Sequence, residues 1–138
     1  MTKPVSLKIE LPNIPEVELI AISGLEHLAR FMNISDEKIG EARILLTEAI
    51  INAFEHGGNT NSTVDVKFTI TSKELIIFVH DYGKGFKTSS IEEPNIDEKL
   101  ISENKRGWGL KLMKEMSDDL HIESNNKGTT ITIKKLLG

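Results

Sequence analysis

Two neighbouring apolar runs in the middle of the chain constrain the fold more than any other feature. Residues 63–70, TVDVKFTI, alternate strictly, which places four apolar side chains on one face of a strand: Val64, Val66, Phe68 and Ile70. Residues 74–80, ELIIFVH, are almost entirely apolar, which is typical of a central, well-buried strand. A short turn around Lys73 separates the two runs. We therefore expect two successive strands in the interior of a sheet.

The remaining strands are expected at the two ends of the chain. Residues 5–11, VSLKIEL, alternate between apolar and polar, as a half-buried strand does. Near the C-terminus, LHIES (residues 120–124) and TTITIKK (residues 129–135) predict a strand pair that turns through NNKG.

Three segments have the apolar spacing of helices. They cover residues 16–32, residues 107–118 and a long stretch that begins after Ser35, a good N-cap, and ends near His56 at the pair Gly57-Gly58. The order of elements predicts an α+β fold in which one sheet carries its helices mainly on one face. Such a chain forms a two-layer sandwich, and its length suits a single domain over residues 1–138.

Composition narrows the functional classes. The 138 residues include no cysteine, which excludes disulfides and cysteine-bound metals, and the net charge of −4 argues against a nucleic-acid partner. No segment is long and apolar enough to span a bilayer, and the N-terminus lacks the apolar core of a signal peptide. We expect a protein of the cytoplasm that does not interact with a membrane.

Within the long helix, Glu48, Asn52 and His56 recur every four residues and so line one face. Apolar residues surround this row, which makes a carboxylate, an amide and an imidazole unexpected there. On its own, Glu48 would be read as a solvated helix residue, because most glutamates are exposed.

Two glycine motifs follow. In DYGKGF, Asp81 stands at a strand end before Gly83 and Gly85, which suits a polar ligand approached by backbone, although a simple turn explains it equally well. In KRGWGLKLM, Lys105 and Arg106 precede a helix that opens around Gly107 and Gly109. Free N–H groups at a helix start bind phosphate. For this motif alone, however, a flexible junction with solvated charges is the favoured interpretation.

Taken together and in order, these motifs resemble the ATPase family shared by sensor histidine kinases, DNA gyrase, Hsp90 and MutL, also called GHKL. The N box of that family matches Glu48, Asn52 and His56, and its glycine boxes match DYGKG and RGWGL. Its last motif matches Gly128-Thr129-Thr130. The resemblance covers roughly residues 40–135, and the small size is similar to the bacterial anti-sigma factors that also act as serine kinases.

The resemblance implies a two-layer α/β sandwich of the Bergerat type, with a mixed, mostly antiparallel sheet and helices on one face. It also implies ATP and Mg²⁺ as ligands. Asp81 would accept a hydrogen bond from the adenine amino group, and Thr130 would support that edge through water. Gly83 and Gly85 would let the backbone pass close to the base and ribose.

The resemblance places the phosphate end of the nucleotide against the long helix and the second glycine box. Asn52 would bind Mg²⁺, Glu48 would accept the proton of the attacking hydroxyl, and His56 would contact phosphate or cap the helix. The expected phosphate-binding residues are Lys105, Arg106, Gly107, Gly109 and Leu110. The polar residues 86–106 would form a lid, and Trp108 would contact the nucleotide or the core.

Three functions fit this resemblance. The first is a serine/threonine kinase that binds a sigma factor and phosphorylates a small STAS-type antagonist of anti-sigma factors. The second is a nucleotide-dependent binding module without phosphoryl transfer, and the third is a detached histidine-kinase catalytic domain. A homodimer is compatible with all three. One departure bears on the sigma partner, because Ile22 stands where relatives present an arginine and Arg30 lies about two turns further on.

Overall fold

The protein is described by a computed structural model that covers residues 3–57, 63–83 and 107–137. Along the chain, the described elements are strand β1 (Val5–Pro12), helix α1 (Glu18–Phe31), helix α2 (Asp36–Gly57), strand β2 (Thr63–Ile70), strand β3 (Glu74–Asp81), helix α3 (Gly107–Met116), strand β4 (Asp119–Asn125) and strand β5 (Gly128–Leu136). Within the described ranges, no helix is long and apolar enough to cross a membrane.

The five described strands form one sheet in the order β1-β2-β3-β5-β4. All four pairings are antiparallel, so the mainly antiparallel sheet that we expected is confirmed. Strand β3 lies at its centre, as its apolar sequence predicted. The β4–β5 hairpin turns at Asn126 and Lys127, inside the predicted NNKG segment.

Helices cover one face of this sheet. Alternate residues of β2 and β3 are buried against the helices, including Phe68 and Ile77, both 0% exposed. Helix α2 supplies Leu45, Leu46 and Ala49, each 0% exposed, to the same core. The other face of the described sheet is more open, and Phe78 is 37% exposed there. The two-layer α+β architecture predicted from the sequence is therefore correct.

The turn between α1 and α2 is built from local hydrogen bonds. Asn33 adopts a φ of 59°, while the N–H of Ile34 donates to the Ala29 carbonyl and that of Asn33 donates to the Arg30 carbonyl, both at 3.0 Å. This pair of bonds is a Schellman motif with asparagine in the left-handed position. The Ser35 hydroxyl then accepts a 3.3 Å bond from the Lys38 N–H, which confirms Ser35 as the N-cap of α2.

A buried lysine ties α2, α3 and β5 together. Lys135 is 6% exposed, and its Nζ donates to the Met116 carbonyl at 2.8 Å at the end of α3. The same Nζ lies 3.3 Å from the Glu41 carboxylate on α2. Helices α2 and α3 are thus fixed to the sheet at the opposite end of the sandwich from Asp81.

Candidate nucleotide-binding site

Asp81 is the last residue of β3, and its side chain points into the helix-covered face of the sheet. It is 2% exposed, and its Oδ1 accepts a 2.9 Å hydrogen bond from the Gly83 N–H. Burial raises the pKa of this carboxyl above 3.8, although the backbone bonds from Gly83 and Thr129 and the nearby His80 all act to lower it. The fold therefore holds a carboxylate whose ionised form lacks some of the stabilisation it would have in water.

The register of β5 decides which threonine reaches Asp81. Thr129 pairs with Asp81 and is 1% exposed, and its hydroxyl lies 2.7 Å from that of Ser124 on β4. Thr130 pairs instead with His80 on the open face, where its hydroxyl lies 2.7 Å from His80 Nδ1. Successive strand residues point to opposite faces, so Thr129 and not Thr130 lies on the face of Asp81, and the predicted role of Thr130 at the adenine edge finds no support in this register.

Gly128 allows β5 to approach Asp81 closely. Its φ is 141°, and a Cβ atom built there would lie 2.0 Å from the Asp81 carbonyl oxygen. Any larger residue would have to push the two strands apart at the position where the carboxylate is anchored. This gives a steric reason for the glycine of the Gly-Thr motif noted in the sequence.

Helix α2 carries the polar row on its C-terminal half and packs against β3, β5 and α3. Asn52 is 3% exposed, whereas Glu48, one turn earlier, is partly exposed. Their spacing places both on one side of the helix about 6 Å apart along its axis. His56 lies in the last turn of α2, but its side chain is outside the described residues. The same side of α2 therefore carries the buried amide of Asn52 and the partly exposed carboxylate of Glu48.

Helix α3 begins at Gly107, as the second glycine motif predicted. Gly109 is buried, and Leu110 and Met113, which are 2% and 0% exposed, anchor this first part of the helix in the core. Gly85, Lys105, Arg106 and the predicted lid at residues 86–106 lie outside the described residues, as does the Trp108 side chain. Their roles therefore stay predictions.

The described residues bring three chemical features to the same layer of the sandwich. These are a buried carboxylate at a strand end, a helix face with a carboxylate and an amide, and a helix N-terminus with a glycine at its first position. Within the described ranges, no group of three or more His, Asp or Glu side chains could hold a metal ion. Asn52 would be a single neutral oxygen ligand, which suits Mg²⁺ when phosphates and water complete its shell.

The position at which the resemblance led us to expect an arginine is apolar and internal in this chain. Ile22 on α1 is 8% exposed and belongs to the core. The Arg30 side chain is 60% exposed, and it lies 3.7 Å from the Glu26 carboxylate and 3.5 Å from that of Asp36. Of these two residues, only Arg30 presents a side chain at the surface.

The sequence matches a known family over this whole arrangement. Residues 15–135 match the model of the histidine kinase-like ATPase domain. The chain therefore belongs to the histidine kinase-like ATPase family, as its motifs implied.

Curated relatives come from bacteria. The serine-protein kinase RsbW of Oceanobacillus iheyensis is 27% identical over 137 residues, which cover 95% of this chain and 86% of that protein. The anti-sigma F factor of Clostridium acetobutylicum is 32% identical over 136 residues, which cover 91% of this chain and 94% of that protein. The similarity to both kinds of protein extends over nearly their full length.

Solved structures share the fold at lower identity. The crystal structure of the RsbU and RsbW domains of Rv1364c from Mycobacterium tuberculosis superposes with a TM-score of 0.70 at 19% identity, covering 98% of this chain but only 33% of that longer chain. The catalytic domain of the histidine kinase ThkA gives a TM-score of 0.58 at 14% identity, covering 99% of this chain and 97% of the other. These likenesses establish the fold alone.

Proposed function

We propose that this chain is an ATP-dependent serine/threonine protein kinase of the anti-sigma type. It would bind Mg-ATP on the helix-covered face of the sheet and transfer the γ-phosphoryl group to a hydroxyl of a small STAS-type antagonist protein. The observation that carries the proposal is Asp81, a carboxylate 2% exposed at the end of a central strand, in the same layer as the Glu48–Asn52 row.

Adenine fits the chemistry of Asp81. The carboxylate accepts hydrogen bonds only, and the adenine amino group is a donor of the matching kind. Guanine offers a carbonyl oxygen at that position and would leave a buried carboxylate unpaired. Thr129, which pairs with Asp81, would support the same edge, and the Gly83 N–H donates a 2.9 Å hydrogen bond to the Asp81 carboxylate.

The row on α2 suits phosphoryl transfer. In the step that we propose, the antagonist's serine or threonine oxygen forms a bond to the γ-phosphorus while the bond from that phosphorus to the β–γ bridging oxygen breaks, releasing ADP. The hydroxyl proton passes to the Glu48 carboxylate. A Mg²⁺ ion, when bound, neutralises phosphate charge, and Asn52 would be its ligand from the protein. Lys105, Arg106, Gly107, Gly109 and Leu110 would hold the phosphates, and His56 would contact them or cap α2.

Two named relatives support the choice of substrate class. One is called a serine-protein kinase and the other an anti-sigma F factor, and each aligns with more than nine-tenths of this chain. We infer that the chain alternates between an antagonist that it phosphorylates and a sigma factor that it binds. A binding module without transfer is the second candidate, and Glu48 favours the kinase because sequestration alone requires no proton acceptor.

The direct test uses γ-labelled ATP, the purified chain and STAS-type proteins from the same genome. We expect label on one serine or threonine of one such protein, a requirement for Mg²⁺, and no comparable transfer from GTP. Label that appears on histidine would indicate the histidine-kinase alternative. Nucleotide binding without transfer to any candidate would favour the binding module.

A further inference from the structure

The inward face of the β4–β5 hairpin changes from apolar to polar beside Asp81. Two of its cross-strand pairs are apolar and lie in or against the core: Ile122 with Ile131 and Leu120 with Ile133. The inward pair next to Asp81 in the sheet joins Ser124 to Thr129. A polar pair therefore replaces apolar packing at the position of this hairpin that adjoins the carboxylate.

Ser124 and Thr129 are buried and hydrogen-bonded to each other. They are 2% and 1% exposed, and their hydroxyl oxygens lie 2.7 Å apart. Among the described residues, Ser124 is the hydrogen-bond partner of the Thr129 hydroxyl, although a hydroxyl can donate one bond and accept two. Thr129 thus retains capacity for a further hydrogen bond in the layer that contains Asp81.

The direction of the bond between the two hydroxyls decides what Thr129 can offer to a ligand. Either hydroxyl can be the donor across the 2.7 Å contact. If Thr129 donates, only its acceptor lone pairs remain for a ligand. If Ser124 donates, the Thr129 proton is free to point toward the ligand, and Thr129 acts as a donor.

Adenine requires the second arrangement. In the proposed site, the Asp81 carboxylate accepts a hydrogen bond from the adenine amino group, and ring nitrogen N1 lies next to that group on the same edge of the base. N1 of adenine is an acceptor, so the protein group beside it has to donate. An ionised carboxylate cannot donate, whereas the hydroxyl of Thr129, the cross-strand partner of Asp81, can.

We propose that Ser124 is a positioning residue for adenine recognition. Its hydroxyl donates to the Thr129 oxygen and so directs the Thr129 proton toward adenine N1, directly or through one water. Ser124 thereby contributes to base recognition from the edge strand β4 without contacting the nucleotide. This role rests on the proposed function, because it requires Mg-ATP to bind with its base at Asp81.

A purely structural role for Ser124 has different consequences. Two buried hydroxyls satisfy each other, and such a pair could serve only to fill the end of the sheet. Loss of the Ser124 hydroxyl would then change the affinity for every nucleotide alike. A positioning role affects only ligands that have an acceptor at N1, and only while the Thr129 hydroxyl is present.

The test measures nucleotide affinity by titration calorimetry in the presence of Mg²⁺, with ATP and with 1-deaza-ATP, in which a C–H group replaces N1. Ser124→Ala should weaken ATP binding about threefold to tenfold, as expected for one hydrogen bond between neutral groups, and should change 1-deaza-ATP binding by less than about twofold. Thr129→Val removes the threonine hydroxyl. In that background, Ser124→Ala should change ATP binding by less than about twofold, because Ser124 acts through Thr129.

Ser6→Ala is the matched control. Ser6 pairs with Thr69 between β1 and β2, and their hydroxyl oxygens lie 2.8 Å apart. This pair has the same chemistry, but it lies at the other end of β2 from Val64, the residue that pairs with Asp81. The control should leave the affinity for both nucleotides unchanged, and urea unfolding of each variant confirms that it is folded.

Equal losses of affinity for ATP and 1-deaza-ATP in Ser124→Ala would overturn the positioning role. So would an unchanged affinity for ATP, or a loss that persists undiminished in the Thr129→Val background. These outcomes do not bear on the kinase proposal, because phosphoryl transfer is not measured. A wild type that does not bind Mg-ATP would overturn both the proposed function and the role of Ser124.

Discussion

Among single residues, Asp81 is the most informative about function, because its buried environment opposes the ionisation of its carboxyl group. A residue kept only for stability would gain from its surroundings, whereas burial raises the pKa of Asp81 in spite of two backbone hydrogen bonds. Such a carboxylate has hydrogen-bonding capacity in reserve for a donor that arrives from outside. This combination predicts opposite effects of one substitution on stability and on binding.

Asp81→Asn should weaken the binding of Mg-ATP by about 1–3 kcal/mol, the usual cost of mispairing a buried polar group. Titration calorimetry with ATP and GTP measures this, and the wild type should prefer ATP strongly. Equal affinity of the wild type for the two nucleotides would contradict the adenine assignment.

The same substitution should not reduce the free energy of unfolding at pH 7. Because the folded pKa of Asp81 exceeds 3.8, the native state binds more protons than the unfolded chain between the two pKa values. Its contribution to stability therefore falls as the pH rises through that window and stays low above it. Asp81→Asn removes this decline, so the free energy of unfolding at pH 7 minus that at pH 3.5, both measured with urea, should be more positive in the variant than in the wild type. A less stable Asn variant at pH 7 would mean that the carboxylate is structural.

Gly128→Ala should destabilise the protein by about 2–4 kcal/mol, because the new methyl group meets backbone and the φ of 141° is unfavourable for alanine. Gly40→Ala in α2 is a matched control, since a Cβ there meets nothing within 4 Å. The control should gain about 0.5–1 kcal/mol of stability from its higher helix propensity. Urea unfolding of both variants gives the comparison, and equal effects would refute the close approach of β5 to Asp81.

At the scale of elements, the boundaries of α2 were readable from the sequence because capping chemistry is local. Ser35 begins the helix and Gly57 ends it, in agreement with the prediction. The choice between Thr129 and Thr130 was readable but missed, because Ile131 and Ile133 mark the buried face of β5 and alternation places Thr129 on that face. The sequence does not supply the pairing of Asp81 with Thr129, because β3 and β5 are far apart in the chain and no short turn joins them.

The α1–α2 connection gives a prediction at this scale. Asn33→Ala should lower the free energy of unfolding by about 1–2 kcal/mol, because alanine is disfavoured in the left-handed conformation that the Schellman motif requires. Asn33→Gly should be neutral or slightly stabilising. Urea unfolding of the two variants distinguishes backbone conformation from side-chain contacts. If both lost the same stability, the asparagine side chain would be the determining feature.

At the scale of the whole molecule, the sheet separates two surfaces. Its helix face gathers Asp81, Asn52 and the start of α3, and the sequence predicted this grouping because the motifs occur in a characteristic order. The exposure of side chains on the open face was harder to predict from the sequence. The apolar run in β3 suggested burial on both sides, yet the described helices cover one side only, which leaves Phe78 partly exposed.

Glu48→Gln is the variant that tests whether the row on α2 takes part in phosphoryl transfer. Single-turnover transfer from labelled ATP to the cognate antagonist should fall by roughly 10²–10⁴, the usual worth of a positioned base, while Mg-ATP binding is retained. Asn52→Ala should instead lose nucleotide affinity, because it removes the proposed metal ligand. A Glu48→Gln protein that transfers phosphate at the wild-type rate would contradict the account and leave Glu48 as an ordinary helix residue.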